Sequence, residues 1–296
     1  MWSRVDLPDQ SSLRSRIFSQ EFTDRMSRPL PGFRLTLGIV ATWLSLIVLI
    51  PLAGLFLRAS SLPLPRIWEI LSSSRTLSAF RVSFGCAAAA AAVNALAGPV
   101  VAWTLVRYDF PGRRFLDALI DIPFALPTAV AGITLTTLYA TNGWVGRLLD
   151  PLGIQVSYTL KGIVVALVFV GLPFVIRTVQ PVLEEFPAEA EEAAALLGAS
   201  RLQTIAKVIL PSLAPAILTG AILSFARCVG EYGSVVFIAG NMPGKTEILP
   251  LLIITHLEEY QYGEATAIAS AMLLLSFGLL LLGNRMQARL VRGRTR

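Results

Sequence analysis

Between Arg34 and Arg58 the chain runs for 23 residues, Leu35–Leu57, without a charged side chain. About 20 apolar residues in a helix suffice to cross the hydrocarbon of a bilayer, and Pro51 is a tolerable interruption of such a helix. Comparable runs recur at Val82–Val106, Ala118–Ala140, Gly162–Val182, Ser212–Ile238 and Ala265–Leu282. The pattern predicts an all-α, polytopic membrane protein with six transmembrane helices. Composition agrees: 54% hydrophobic residues, 15% charged and a mean hydropathy of +0.66 are far from a soluble average. The formal charge of +6 carries no basic stripe with interleaved aromatics, so no nucleic-acid partner is expected. Basic residues flank the apolar runs instead, as orientation in a membrane requires.

Chain order divides the sequence into a polar tail (1–34), the first helix (35–57), a membrane core (76–284) with a polar loop at 183–211, and a basic tail (285–296). The tail is too long and too charged for a signal n-region and is expected to be retained in the cytoplasm. In the second span, Ala87–Ala92 with Gly85, Ala97 and Gly98 make a small-residue surface suited to close helix packing, or less simply to lining a pathway. Asn94 is its strongly polar group and should face protein or water. In the third span, Pro123 and Pro127 should bend or open the helix, either as a structural kink or to shape a translocation path. Asp121 lies near its cytoplasmic end, where the interface or a neighbouring helix accommodates the charge. Cys86 and Cys228 are expected to be small buried hydrophobes, and the single histidine, His256, excludes a zinc-type cluster. No metal or cofactor is expected.

The loop 183–211 is the long polar interruption of the second half. Five carboxylates (Glu184, Glu185, Glu189, Glu191, Glu192) fall within nine residues. Pro187 suits a first helical position, and the following glutamates complement the helix dipole. Ala193–Leu197 continue the helix, Gly198 can end it in a left-handed conformation, and Ser200 with Gln203 forms a capping box for a second helix. A short acidic helix, a glycine corner and a longer helix past Pro211 are therefore predicted. By physics alone this is as well explained by a surface connector as by a docking element.

With the tail placed inside, 17 of the 25 basic residues fall on inside segments and seven on outside ones, with Arg227 inside a span. Both termini and the acidic loop are then cytoplasmic. Ala239–Thr246 approaches a P-loop pattern, with Ala239 where the first glycine belongs. It lies on the outside and has no strand-then-helix setting, so nucleotide binding is not expected there. No nucleophile elbow occurs, and His256 does not fit a His-Glu-x-x-His order. Arg227 and Glu231 sit four apart on one face of the fifth span, with Arg227 about 22 Å up the axis from Ser212 at 1.5 Å per residue. They form either an internal salt bridge or the positive and gating groups of an anion path, with Tyr232 beside them.

The spacing Glu192-Ala193-Ala194, Gly198, Val208, Leu210-Pro211 resembles the EAA motif of permease subunits of ABC importers, with Val208 in place of the usual Ile. Further blocks resemble the T-type permeases of bacterial sulfate/thiosulfate importers: Phe110–Arg113, Pro123–Gly132, Pro173–Val175, Arg177–Glu185, Gly230–Gly233, Phe237–Asn241, Lys245–Glu247 and Ala265–Ser270. Molybdate permeases share the EAA loop but fit less well through Phe124–Gly132 and Glu258–Ser270.

That resemblance implies a type I importer fold and a permease that is not itself an enzyme. Its implied partners are two ABC ATPase subunits, a second related permease in a heterodimer, and an external sulfate-binding protein, with sulfate or thiosulfate as cargo. It implies that the short acidic helix docks on the ATPase, through Glu191, Glu192, Ala193, Ala194 and Gly198. Asn94, Pro123, Pro127, Arg227 and Glu231 are the candidates for the translocation path. The expected location is the inner (plasma) membrane.

Overall fold

The computed structural model describes residues 32–292, and among these all regular structure is helical. Its contacts divide the chain into Met1–Gly54 and Leu55–Arg296. The first unit holds most of α1 (Leu35–Ser60), whose side chains from Leu35 to Pro51 are all exposed, as a lipid-facing helix requires. A single wide turn, Ser45–Leu49, precedes Pro51. The same device, Ile205–Ile209, precedes Pro211 in the second unit. A proline ring collides with the carbonyl four residues back, and a turn closed at i→i+5 relieves that collision without breaking the helix.

The second unit comprises α2 (Leu64–Ser72), α3 (Ser74–Arg107), α4 (Arg113–Ile120), α5 (Ile122–Ala125), α6 (Thr128–Tyr139) and α7 (Gly146–Leu149). There follow α8 (Leu160–Glu184), α9 (Ala188–Leu196), α10 (Arg201–Val229), α11 (Val235–Ile238), α12 (Leu249–Glu258) and α13 (Tyr262–Arg292). Among the described residues five helices, α1, α3, α8, α10 and α13, are long and apolar enough to cross a membrane.

The expected third span is not one helix. Asp121 closes α4, and Leu126, at φ −82°, ψ 137°, separates α5 from α6. Leu126 precedes Pro127, and steric contact with the proline ring drives such a residue out of the helical region. The fifth span ends earlier than expected, although its helix also begins earlier, at Arg201. It ends at Val229, and Gly230–Ser234 turns the chain into the single turn of α11. The basic stretch from Arg285 to Arg292 continues α13. The tail 1–34 falls, except for its last three residues, outside the described residues, as do the last four residues of 285–296.

α3, α8 and α10 form the centre of the unit, each packed along the other two. One cluster joins Val82, Cys86, Ala87 and Ala90 of α3 to Ile163 and Leu167 of α8 and to Cys228 and Val229 of α10. A second joins Ala102 and Leu105 to Val175, Val179 and Leu183 and to Ile209 and Leu213. Small residues make this approach possible, and Ala87, Ala90 and Ala102 are completely enclosed. At Gly171 an added Cβ would lie 2.3 Å from Ser224 Oγ and 2.7 Å from Asn94 Nδ2, so a side chain there would displace both. Both cysteines are free and buried, as small hydrophobes.

Candidate functional site

The loop 183–211 folds as a tight elbow between α8 and α10. Pro187 stands one position earlier than expected, as the N-cap of α9, with Glu189 and Glu191 in the first turn where the helix dipole favours them. The helix ends in a Schellman arrangement: Gly198 N–H donates to the Ala195 carbonyl (2.9 Å) and Ala199 N–H to the Ala194 carbonyl (3.0 Å). That geometry needs a left-handed residue, and Gly198 has φ +80°. Ser200 and Gln203 then cap α10 reciprocally, Gln203 Oε1 accepting from Ser200 N–H at 2.9 Å. The elbow's shape is thus held by bonds spanning at most five residues.

The coupling candidates separate by environment. Glu192, Ala193 and Gly198 are exposed, whereas Ala194 packs inward. Glu191 is already engaged: its Oε1 receives Arg107 Nη2, at the end of α3, at 2.7 Å. Glu192 is therefore the carboxylate of the EAA triplet that is presented outward. Composition had not drawn attention to Leu196 and Leu197, each 89% exposed at the tip, nor to Leu202 at 79%. Their signal in the sequence is three leucines flanking a glycine corner, which is the chemistry of a docking patch.

Beside the elbow, Arg177 of α8 grips the broken third span. Its Nη1 reaches Asp117 Oδ1 at 2.6 Å, its Nε and Nη2 reach Asp121 at 3.0 and 2.6 Å, and Nη2 also donates to the Asp117 carbonyl at 3.0 Å. The fork shape of a guanidinium allows this two-carboxylate grip. Asp121 thus finds its partner on a neighbouring helix. The signal was an arginine interrupting one span and two aspartates four apart near the start of another. Pro123 lies in the first turn of α5 and Pro127 caps α6, so the two prolines flank the break and do not bend one continuous helix.

At the other end of α10, Arg227 and Glu231 form an ion pair at 2.5 Å. Glu231 is 3% exposed, and its second oxygen accepts from the backbone and hydroxyl of Ser234 at 2.9 and 3.0 Å. Arg227 is more open to the surroundings. Asn94 is completely buried at the junction of α3, α8 and α10, where its Nδ2 donates to Ser224 Oγ at 3.1 Å and its Oδ1 has no partner among the described residues. In this conformation it joins helices and does not line an open channel. The P-loop-like stretch folds back on itself: the N–H groups of Lys245, Thr246 and Glu247 all donate to the Met242 carbonyl, so they are not presented to a phosphate. His256 pairs with Gln261 Oε1 at 2.7 Å.

An elbow of this build, set among helices that span a membrane, occurs in a chain whose residues 94–296 match the binding-protein-dependent transport system inner membrane component family. The chain belongs to that family. As a member of it, the chain is a multi-pass inner-membrane permease subunit and not itself catalytic. Sulfate transport system permease protein CysT of Salmonella typhimurium is 48% identical over 262 residues, 88% of this chain and 95% of that protein. The protein of the same name from Synechococcus elongatus is 50% identical over 248 residues, 83% and 89% of the two chains. Among solved structures, a bacterial ABC transporter for import of the acidic polysaccharide alginate shares the fold. It has a TM-score of 0.72 at 14% identity and covers 93% of this permease and 99% of that chain. An inward-facing methionine ABC transporter has a TM-score of 0.52 at 20% identity, covering 79% and 100%.

Proposed function

We propose that this permease forms, with a second related permease, the membrane pathway of an ATP-driven importer of sulfate and thiosulfate. Two ABC ATPase subunits and an external sulfate-binding protein complete the assembly. The carrying observation is the 48–50% identity, over more than four-fifths of the chain, to permeases named for sulfate transport. The membrane core is 76–284, with cytoplasmic tails at 1–34 and 285–296. Both termini and the elbow 183–211 are cytoplasmic, an orientation supported by the excess of basic residues on that side.

In this reading the ATPase takes the exposed face of the elbow: Glu192 for a charge pair, Ala193 for close approach, and the bare Leu196–Leu197 tip for apolar contact. Ala194 and Gly198 hold the shape of that face and Glu191 ties it inward. Nucleotide-driven closure of the ATPases moves the elbow and tilts α8 and α10, which exposes the pathway to the outside; hydrolysis returns it. Arg227, the more exposed partner of its ion pair with the buried Glu231, supplies positive potential along the path. Pro123 and Pro127 give the path its irregular wall, and Asn94 holds the central helices together beside it.

Labelled sulfate uptake into membrane vesicles containing the whole complex tests this, with molybdate or tungstate as competitor. ATP-dependent uptake that excess molybdate leaves intact is expected; uptake of molybdate with sulfate excluded would make this the permease of a molybdate/tungstate importer. In the same assay Arg227→Leu should lower uptake by about tenfold or more, the scale of leaving the buried Glu231 without its charge partner. Normal uptake by that variant would remove Arg227 from the path.

A further inference from the structure

The elbow is joined through the chain to two of the three central helices: α8 enters it and α10 leaves it. The third, α3, has no chain connection to it. Its polar link among the described residues is Arg107, the last residue of α3, whose Nη2 meets Glu191 Oε1 at 2.7 Å and lies 3.5 Å from the Phe186 carbonyl. Trp103, one turn earlier on α3, places its ring 5.6 Å from the Arg107 guanidinium carbon, so the cation is steadied from its own helix. Among the described residues the Arg107 Nε is buried without a partner, which leaves the guanidinium held by Glu191, Phe186 and Trp103. The two side chains are 24% and 31% exposed, so water competes only partly for the pair. On α9 Ala194 alone is buried, and the helix has little apolar packing to hold it against the rest of the permease.

We propose that the Arg107–Glu191 pair is a transmission strut, making Arg107 a positioning residue that couples movement of the elbow to α3. This rests on the importer reading above. A pull on α9 reaches α8 and α10 through covalent bonds. It reaches α3 through the strut, so all three central helices move together. Without the strut, α3 follows only as far as its apolar packing drags it. ATP is then hydrolysed with less opening of the pathway.

The test uses the whole complex with its ATPases and binding protein in proteoliposomes, and compares wild type, Arg107→Glu, Glu191→Arg, the double exchange and the milder Glu191→Gln. Two quantities are read: sulfate taken up per ATP hydrolysed, and the ATP/vanadate-dependent change in lipid accessibility of a spin label at Val100 of α3. The single variants should keep the ATPases bound but lower uptake per ATP by about tenfold, the effect of breaking one partly dry charge pair. They should also lose the Val100 response, and the double exchange should restore most of both. Unchanged uptake per ATP in the single variants, loss of the bound ATPases, no Val100 response in the wild type, or no restoration in the double exchange would each overturn the strut. A wild-type complex that moves no sulfate yet shows the Val100 response would instead overturn the choice of cargo and leave the strut standing.

Discussion

Gly198 illustrates how one residue sets a functional shape. Its φ of +80° is required by the Schellman closure of α9, and nothing lies within 4 Å of where a Cβ would be. A side chain there meets no steric wall; its cost is the backbone conformation alone, about 1–2 kcal/mol for a residue other than glycine or asparagine. Gly198→Val should therefore leave the protein in the membrane at normal abundance while lowering uptake several-fold, and Gly198→Asn should stay near wild type. Equal uptake by both variants would show that the corner does not need this geometry. Gly171 is the opposite case, confined by Ser224, Asn94 and Cys228, where space and not backbone freedom favours glycine. The corner was legible in the sequence because its signals are local; the confinement of Gly171 was not, because its neighbours come from distant parts of the chain.

At the scale of elements, the broken third span shows how polar ties offset lost helix. The break between α4 and α6 leaves a 12-residue helix, α6, shorter than a bilayer crossing needs. Arg177 anchors the segment through Asp117 and Asp121, in a half-exposed cluster whose solvent access lowers its worth to about 1–2 kcal/mol. Arg177→Gln should therefore speed amide hydrogen exchange across residues 117–126 while the exchange of α13, which packs on α2, α10 and α12, stays unchanged. Unaltered exchange at 117–126 would mean that packing alone holds the break. The sequence showed two prolines and an interrupting aspartate, enough to expect a bend. The break at Leu126 follows locally from Pro127, whereas the one at Asp121 is met by Arg177 of α8, 56 residues away, which no local signal shows.

For the molecule as a whole, the decisive quantity is which side the elbow faces. The two native cysteines are buried and free, so a single introduced cysteine can be labelled without competition from them. Glu189→Cys on α9 should react with an impermeant thiol reagent only from the cytoplasmic side. Trp144→Cys, at a position 83% exposed in the connection that follows α6, should react only from outside. The reverse pattern would invert the proposed topology and separate the elbow from the ATP supply.

The amino-acid sequence by itself determined the membrane class, most of the long helices and the elbow. Apolar run length, capping residues and a glycine corner all act within a few residues of chain, so the same local structure forms whatever surrounds it. Tertiary structure alone decided which polar groups meet: Arg107 with Glu191 across 84 residues, and Asn94 with Ser224 across 130. The physical reason is rotation. A helix's sequence states what lies on each of its faces, but which face turns inward, and against which neighbour, is set only when α3, α8 and α10 pack together and every buried charge must find its partner.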